Sequence, residues 1–401
     1  MGKYDFDTLI SRKGTYATKW DRLPEGNDKD ALPLWVADMD FPTAEPILKA
    51  IHERVDKGAF GYTYYGDEAK DAVTGWYLKR YGWQVKNEDV FFCPGILPGI
   101  ALLINILSGE GDGIVIQPPV YHLFALKIKN NNRKVVNNPL IYKNGRYEMD
   151  YDDLDKKLAD PNNKGLLFCT PHNPSGRVWS EDELKKVIEI AKKHKKWIIS
   201  DEIHADTVRK GIVFTPAAKL AGDYADEIIT LTAPSKAFNI AGLKISNFVI
   251  TNKEYQDTYN FWLNDKIHIG GVNPLAMAAG TAAYNEGEEW LEEANEYIDG
   301  NVDYCMEFFK KELPKSTPVY IEGTYLFWVD LNNYESDPKE LECIMKQEAK
   351  VALNSGHIFG EEGNGFQRIN LACPRPMLKE CLERMKEALI KHICENKENC
   401  K

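Results

Sequence analysis

The sequence predicts an α/β protein in which helices cover a mostly parallel β-sheet, joined to a smaller α+β domain. Between about residues 50 and 285, short and almost continuously apolar runs alternate with longer helical patterns. Strands buried on both faces give such runs, because helices cover both sides of a parallel sheet. From about Glu288 the composition changes to charged amphipathic helices with a few short strands. We therefore expect an N-terminal arm with part of the small domain (1–49), a large domain (50–285) and a small C-terminal α+β domain (286–401).

The elements of the N-terminal third follow from capping and turn residues. Thr43 is predicted to cap a helix that Gly58 ends, since threonine caps helices well and glycine tolerates the left-handed conformation after the last turn. An aromatic loop at 60–66 then leads into a second predicted helix at about 67–81.

The strands of the large domain follow from its apolar runs. Each run is short, and most end in small, polar or proline residues that lead into a helix or loop. The predicted strands are 90–93, 114–117, 166–169, 197–199, 228–231 and 245–250. One of the helices between them, 180–194, starts with Ser180 and Glu183 at the spacing of a capping box. In the C-terminal part we expect strands at 318–321, 325–329 and 368–371.

Charge and cysteine usage exclude several classes of protein. The chain has 50 basic and 61 acidic residues and a net charge of −11, whereas nucleic-acid binding needs a basic face. No G-x-G-x-x-G motif follows a predicted strand, so a nicotinamide site is not expected. None of the eight cysteines forms a CxxC pair, which favours free thiols in the cytoplasm. No apolar run approaches 18 residues and no signal sequence is recognisable, so no membrane association is expected.

Four predicted strands are followed by side chains that together suggest one chemistry. Tyr121, Asn173, Asp201 and Lys236 each come after a different strand, and ligands of open α/β sheets bind beyond the carboxyl ends of the strands. An aromatic ring can stack on a flat cofactor, an amide can donate to a phenolate oxygen, and a carboxylate can keep a ring nitrogen protonated. A lysine partly removed from water can attack a carbonyl. Pyridoxal 5′-phosphate requires this set of groups. Lys236 by itself would be one solvated lysine among many.

The chain resembles the fold-type I pyridoxal-phosphate enzymes of the class I/II aminotransferase superfamily over about residues 32–376. The most specific motifs are PHNPSG at 171–176, SDEIH at 200–204, SKAFNIAG at 235–242 and RINLACPR at 368–375. The resemblance implies a mostly parallel sheet of seven strands in the large domain, and a pyridoxal 5′-phosphate cofactor.

The resemblance also implies a role for each matching residue at the cofactor ring. Lys236 would form the Schiff base, Asp201 would pair with the pyridinium nitrogen, and Asn173 would bond the ring hydroxyl. Tyr121 would stack on the ring. Arg368 would bind the substrate α-carboxylate as a bidentate pair, although a surface ion pair is the alternative for an arginine.

The phosphate and the substrate complete the implied site. Gly95 and Ile96 would offer backbone amides to the phosphate. Tyr62 would reach the phosphate of a partner subunit, which implies a homodimer with composite active sites. Ala37 would join Tyr121 and Arg368 around the amino-acid substrate.

Three departures from the aminotransferase pattern refine the resemblance. His204 stands where a tyrosine is usual. Lys244 stands where an arginine is usual, so the forked guanidinium is replaced by the point charge of an ammonium group. Ala233 stands where a phosphate-binding serine is common, so Ser235 or Thr232 is expected to replace it. With the run WVADMDF at 35–41, these changes resemble the cystathionine β-lyase branch, the MalY/PatB type of carbon–sulfur lyase.

The resemblance implies β-elimination from a thioether amino acid such as cystathionine or cysteine, giving a thiol, pyruvate and ammonia. Transamination on the same scaffold is the first alternative, because it shares every step up to the carbanion. The second alternative is a binding or regulatory protein without turnover. The presence of Lys236, Asp201 and Arg368, all intact, argues against it. A metal site at Asp201, Glu202 and His204, with His172, is not expected, since neighbouring residues of one short turn rarely supply three ligands.

Overall fold

The computed structural model describes residues 2–399. Its α-helices are α1 Thr18–Asp21, α2 Glu45–Asp56, α3 Asp67–Tyr81, α4 Ile96–Leu107, α5 Leu123–Asn130, α6 Tyr151–Ala159, α7 Glu181–His194, α8 Pro234–Ala237, α9 Lys253–Asn260, α10 Pro274–Glu286, α11 Glu288–Glu312, α12 Pro338–Cys343 and α13 Arg375–Asn399. Its strands are β1 Leu32–Pro33, β2 Val90–Cys93, β3 Gly113–Ile116, β4 Lys134–Asn137, β5 Ile141–Lys143, β6 Arg146–Glu148, β7 Asn163–Cys169, β8 Trp197–Asp201, β9 Ile228–Thr232, β10 Ser246–Val249, β11 Thr317–Val319, β12 Leu326–Asp330, β13 Val351–Ala352, β14 Asn354–Ser355 and β15 Phe366–Asn370.

A sheet of seven strands in the order β2-β10-β9-β8-β7-β3-β4 forms the centre of the molecule. All neighbouring strands are parallel except β10, which runs antiparallel to both β2 and β9. The predicted mostly parallel, seven-stranded sheet is therefore confirmed. The carboxyl ends of β2, β3, β7, β8 and β9 lie at one edge of this sheet, together with the amino end of β10.

Local sequence explains how two strands of the central sheet pack and how two of its helices begin. Gly165 in β7 lies against the ring of Trp197 in β8, where any Cβ would clash. Ser180 and Glu183 form the predicted capping box at the start of α7. The predicted cap at Thr43 is wrong: Ala44 precedes α2, and the Thr43 hydroxyl donates instead to the Phe238 carbonyl at 2.7 Å.

A second sheet, with the antiparallel order β11-β12-β15-β14, is built from the C-terminal residues. It is held by buried aromatic rings, with Trp328 stacked on Phe366 at a centroid distance of 4.9 Å. Strand β1 pairs in parallel with β13, so residues near the N-terminus join this C-terminal region. The division into the segments 1–49, 50–285 and 286–401 stays a prediction.

Within residues 2–399 no helix combines the length and the apolar character needed to cross a lipid bilayer. The seven cysteines of that range are all free.

Candidate active site

A cavity of about 210 Å³ opens at the edge of the central sheet where the parallel strands end. Ten of the residues predicted for the site line it: Ala37, Gly95, Ile96, Tyr121, Asn173, Asp201, His204, Ser235, Lys236 and Lys244. Side chains from five different strand ends therefore meet at one place, as expected for the carboxyl edge of a parallel sheet.

Lys236 lies just after β9, in the short helix α8. Its Nζ donates a hydrogen bond to the carbonyl of Ala37. Loss of water around the amine lowers the pKa of Lys236 to about 8, partly offset by the negative charges of Asp38 and Asp201. The amine is therefore close to neutral at mildly alkaline pH, as a nucleophile or base must be.

Asp201 is the last residue of β8 and is buried. Its Oδ1 accepts a hydrogen bond from the Ile203 amide at 3.2 Å. Burial raises the pKa of Asp201 to about 7, although that amide and the charge of Lys236 act in the opposite direction. A cationic group that reached this carboxylate would restore its ionised form.

Arg368 and Asn173 form one unit beside the cavity. Arg368, in β15, is buried and does not itself line the cavity, but its Nη1 donates to Asn173 Oδ1 at 2.9 Å. Its Nη2 donates to the carbonyl of Trp35 at 3.0 Å and to Asn354 Oδ1, and its guanidinium lies 4.8 Å from the ring centre of Phe359. Burial lowers the pKa of Arg368 to about 10.

The guanidinium is also incompletely satisfied. Arg368 Nε is buried without a hydrogen-bond partner, and no carboxylate of the described residues pairs with this side chain. A buried cation surrounded by neutral acceptors favours binding of a carboxylate.

Backbone and side-chain hydrogen-bond donors also line the cavity. Helix α4 begins at Ile96 directly after Gly95, whose φ of +113° would strain any other residue. The first amides of a helix lack intrahelical partners and attract anions. Ser235 and the exposed Lys244 also line the cavity here. The structure does not bring Thr232 to the cavity, because its hydroxyl bonds the Tyr77 hydroxyl and donates to the Asn247 carbonyl at 3.2 Å.

Tyr121 and His204 supply the rings of the site. Tyr121 is half-buried, and removal from water raises its pKa to about 12, so that the phenol stays neutral. His204 is buried with Nδ1 unpartnered, and burial together with the charges of Lys236 and Arg368 holds its pKa well below the usual range. Its ring packs edge-on against Tyr325, with centroids 5.7 Å apart.

One predicted residue, Tyr62, and one residue of the metal site that was not expected, Glu202, lie outside this arrangement. Tyr62 is fully exposed and is not among the residues of the cavity. Glu202 accepts hydrogen bonds from Ser200 Oγ at 2.8 Å and from the Ala217 amide at 3.0 Å, so its carboxylate is already bonded within the protein. Among the described residues, no group of three His, Cys, Asp or Glu side chains has metal-binding geometry.

Sequence reasoning missed the contribution of the N-terminal arm. Lys19 and Asp40 are both buried, and Lys19 Nζ lies 2.6 Å from Asp40 Oδ2. Tyr325, whose hydroxyl donates to the Ala37 carbonyl at 3.2 Å, was missed as well. The one local signal was the pair of aspartates inside the otherwise apolar run WVADMDF at 35–41.

The fold and this cavity are those of a known class of protein, to which similarity in sequence and in structure assigns the chain. The chain belongs to the aminotransferase class I and II family, whose model matches residues 29–385.

Particular relatives narrow the position within that family. The chain is 40% identical to cystathionine beta-lyase PatB of Bacillus subtilis, over 96% of this chain and 100% of the relative. A solved C-S lyase with bound PLP from Staphylococcus hominis is 40% identical, with a TM-score of 0.91 over 96% of this chain and 98% of that one. A solved PLP-bound putative aminotransferase from Clostridium difficile 630 is 41% identical, with a TM-score of 0.94 over 96% and 100% of the two chains. The resemblance to the cystathionine β-lyase branch is therefore confirmed.

Proposed function

We propose that this chain is a pyridoxal 5′-phosphate-dependent carbon–sulfur lyase. It β-eliminates thiols from amino acids of the cystathionine and cysteine type and yields pyruvate and ammonia. The observation that carries the proposal is the convergence of Lys236, Asp201, Asn173 and Tyr121 on one cavity, with Arg368 bonded to Asn173. The similarity to cystathionine β-lyases over nearly the whole chain supports the same function.

The residues of the cavity fit the proposed cofactor. Asp201 is a buried acid without a cationic partner at ion-pair distance among the described residues, which suits a protonated ring nitrogen. The unpartnered Nδ1 of His204 is available to a polar atom of the ring. The start of α4 at Gly95, with Ser235 and Lys244, provides the donors that a phosphate needs.

Each of the residues Asp201, Arg368 and Lys236 has a separate role in the proposed elimination. When bound, the cofactor supplies a protonated pyridine that withdraws electrons from the α-carbon of the amino acid. Asp201 holds the proton on that ring nitrogen, and Arg368 holds the substrate carboxylate. Lys236 Nζ accepts the α-proton, for which it must be neutral. The thiolate then leaves from the β-carbon, and the remaining three-carbon enamine hydrolyses to pyruvate and ammonia.

Tyr121 and His204 shape the cavity without adding charge. Removal from water keeps the Tyr121 phenol protonated and the His204 imidazole neutral at physiological pH. Neither group competes with Asp201 or Arg368 for the charged parts of the ligand.

Transamination is the second candidate, because the similar Clostridium difficile structure is described as a putative aminotransferase. The same residues serve both reactions up to removal of the α-proton. The difference is a requirement for a 2-oxo acid acceptor.

A homodimer and a cytoplasmic location remain parts of this proposal. The exposure of Tyr62 on the loop 60–66 is what a residue that serves a partner subunit would show. Mixing a Tyr62→Phe chain with a Lys236→Ala chain tests the composite site, since only a shared site gives hybrid dimers with one intact centre.

The test of the proposed function is a pyruvate assay of the cofactor-loaded protein with cystathionine and with cysteine. Pyruvate formed without any 2-oxo acid supports the lyase. Turnover that depends on added 2-oxo acid supports the aminotransferase instead. If neither substrate reacts under either condition, the proposed function is wrong.

A further inference from the structure

Residues 35–41 form a strap that contributes Ala37 to the lining of the cavity, and backbone carbonyls of this strap accept hydrogen bonds from side chains of the site. Lys236 Nζ donates to the Ala37 carbonyl, and Arg368 Nη2 donates to the Trp35 carbonyl at 3.0 Å. Asn370 Nδ2 donates to the Val36 carbonyl at 2.6 Å. The strap therefore influences where the amine of Lys236 and the guanidinium of Arg368 point.

The opposite end of the strap is bound to the N-terminal arm by charge. Lys19 Nζ lies 2.6 Å from Asp40 Oδ2 and donates to the Asp38 carbonyl at 3.1 Å. Trp20 Nε1 donates to Asp40 Oδ1 at 2.9 Å. The Arg12 guanidinium donates hydrogen bonds to both carboxylate oxygens of Asp38, at 3.2 and 3.0 Å, and to the Met39 carbonyl at 3.2 Å.

The strap has little regular structure of its own to hold it. It contains no strand or helix, and the helix α1 that carries Lys19 has four residues. Lys19 and Asp40 nevertheless have no measurable exposure of their side chains. An ion pair taken out of water is a weak source of stability, because desolvation opposes the attraction, but it fixes relative position well. The placement of such a pair beside the site suggests positioning.

We propose that Arg12, Lys19 and Asp40 are positioning residues of the active site. Through the strap they fix the Ala37 and Trp35 carbonyls, and so orient Lys236 and Arg368 toward the substrate. They touch neither the proposed cofactor site nor the substrate site. Loss of these contacts is therefore expected to weaken amino-acid binding and turnover while cofactor retention stays unchanged. Only the turnover part of this inference rests on the proposed function.

Two variants and a matched control test the inference in the cofactor-loaded protein. Arg12→Gln removes the guanidinium group that donates two hydrogen bonds to the carboxylate of the partly exposed Asp38. The double variant Lys19→Met with Asp40→Asn removes both charges together, so that neither remains buried alone. Lys3→Met is the control, because the exposed Lys3–Glu289 pair at 2.8 Å also ties the arm to the body but not to the strap.

Three readouts separate positioning from general stability. The first is amide hydrogen exchange of residues 35–41, whose Asp40 amide normally donates to the Ala372 carbonyl at 2.9 Å. The second is the dissociation constant of 2-methylalanine, which lacks an α-proton and cannot be turned over. The third is kcat and KM for cystathionine, with the cofactor content measured by absorbance.

We expect faster exchange in the strap, at least tenfold weaker binding of 2-methylalanine and at least tenfold lower kcat/KM in both variants, with normal cofactor content. Arg12→Lys should recover part of each loss, and Lys3→Met should equal the wild type. Faster amide exchange in residues 35–41 without weaker binding of 2-methylalanine would overturn the inference. Weaker binding of 2-methylalanine without a change in that exchange would also overturn it. If the wild type gives no pyruvate, the proposed function fails, but exchange and 2-methylalanine binding still decide the role of the strap.

Discussion

Two neighbouring parts of the active site treat buried charge in opposite ways. The floor comprises Lys236, Asp201 and Tyr121 of the cavity, together with Arg368 beside it, and the anchor of the strap is the Lys19–Asp40 pair. In the anchor, Lys19 and Asp40 lie 2.6 Å apart and neutralise each other. On the floor, Asp201 and Arg368 have no oppositely charged partner at ion-pair distance among the described residues. Uncompensated buried charge destabilises a protein, and it is found where a ligand completes the pairing. The floor is therefore an incomplete electrostatic unit, whereas the anchor is complete.

The largest effect is expected at the lysine of the floor. Lys236→Ala removes the amine that we propose accepts the α-proton, and it should lower pyruvate formation from cystathionine by about 10³-fold or more. Lys185→Ala serves as a control, because Lys185 is exposed, pairs with Glu181, four residues earlier, and is not among the residues that line the cavity. A Lys236→Ala enzyme that keeps more than a tenth of wild-type activity would contradict the assignment.

The same substitution should have opposite effects on stability in the two regions. Asp40→Asn leaves the buried Lys19 with the more distant carboxylate of Asp38, 3.7 Å away, and should lower the free energy of unfolding by about 3 kcal/mol. Asp201→Asn removes a carboxylate whose burial raises its pKa to about 7, which is on the order of 4 kcal/mol of destabilisation when it is ionised. The cofactor-free Asp201→Asn protein should therefore be more stable than the wild type at pH 8, although its turnover is lost.

The pH dependence of that difference provides a control. Below about pH 3 the Asp201 carboxyl is largely protonated in both the folded and the unfolded chain, so the two proteins should have nearly the same Tm. As pH rises to about 7 the unfolded chain ionises first, and wild-type stability should fall relative to the variant. Thermal unfolding of the two cofactor-free proteins between pH 3 and 8 measures this; a gap that does not grow with pH would refute it.

A smaller effect is expected for the cation of the floor. Arg368→Lys keeps the charge but loses the planar fork, so KM for cystathionine should rise by about 10- to 100-fold. Arg375→Lys is a matched control from the same sequence motif, because Arg375 bonds Asn301 outside the cavity. Equal KM changes in both variants would argue against a specific role of Arg368.

The smallest effect concerns the neutral ring of the floor. Tyr121→Ala should weaken cofactor binding by up to about tenfold, the range expected for one aromatic stacking contact. Tyr121→Phe retains the ring and should bind the cofactor nearly as the wild type does. Titration of the cofactor-free proteins with pyridoxal 5′-phosphate measures both values, and a large loss in Tyr121→Phe would assign the effect to the hydroxyl instead.

Local patterns were sufficient to predict most of the central sheet and most cavity residues. Apolar runs locate strands, and the residues after them face one edge whenever the strands are parallel. The direction of β10 could not be predicted, because an apolar run reads the same for either orientation. Strand β4 was missed because this edge strand, Lys134–Asn137, is polar at both ends and only partly buried.

The remaining errors arise from contacts between residues that are distant in sequence. Lys19 and Asp40 are 21 residues apart, and no local period links them. Thr232 and Ser235 were equivalent candidates, and only the packing against Tyr77 and Asn247 separates them. The link between Arg368 and Asn173 spans 195 residues, so it depends on how the two sheets meet.

The reversed direction of β10 explains why two lysines of the cavity lie so close together along the chain. A parallel strand would have required a long crossover through a helix on the far side of the sheet. Because β10 is antiparallel, the chain returns from β9 to β10 within residues 233–245 and never leaves the edge of the sheet. Lys236 and Lys244 are both carried on this one short tether, with Thr232 and Asn247 paired at its base. One connection of 13 residues between two neighbouring strands therefore supplies both lysines of the cavity.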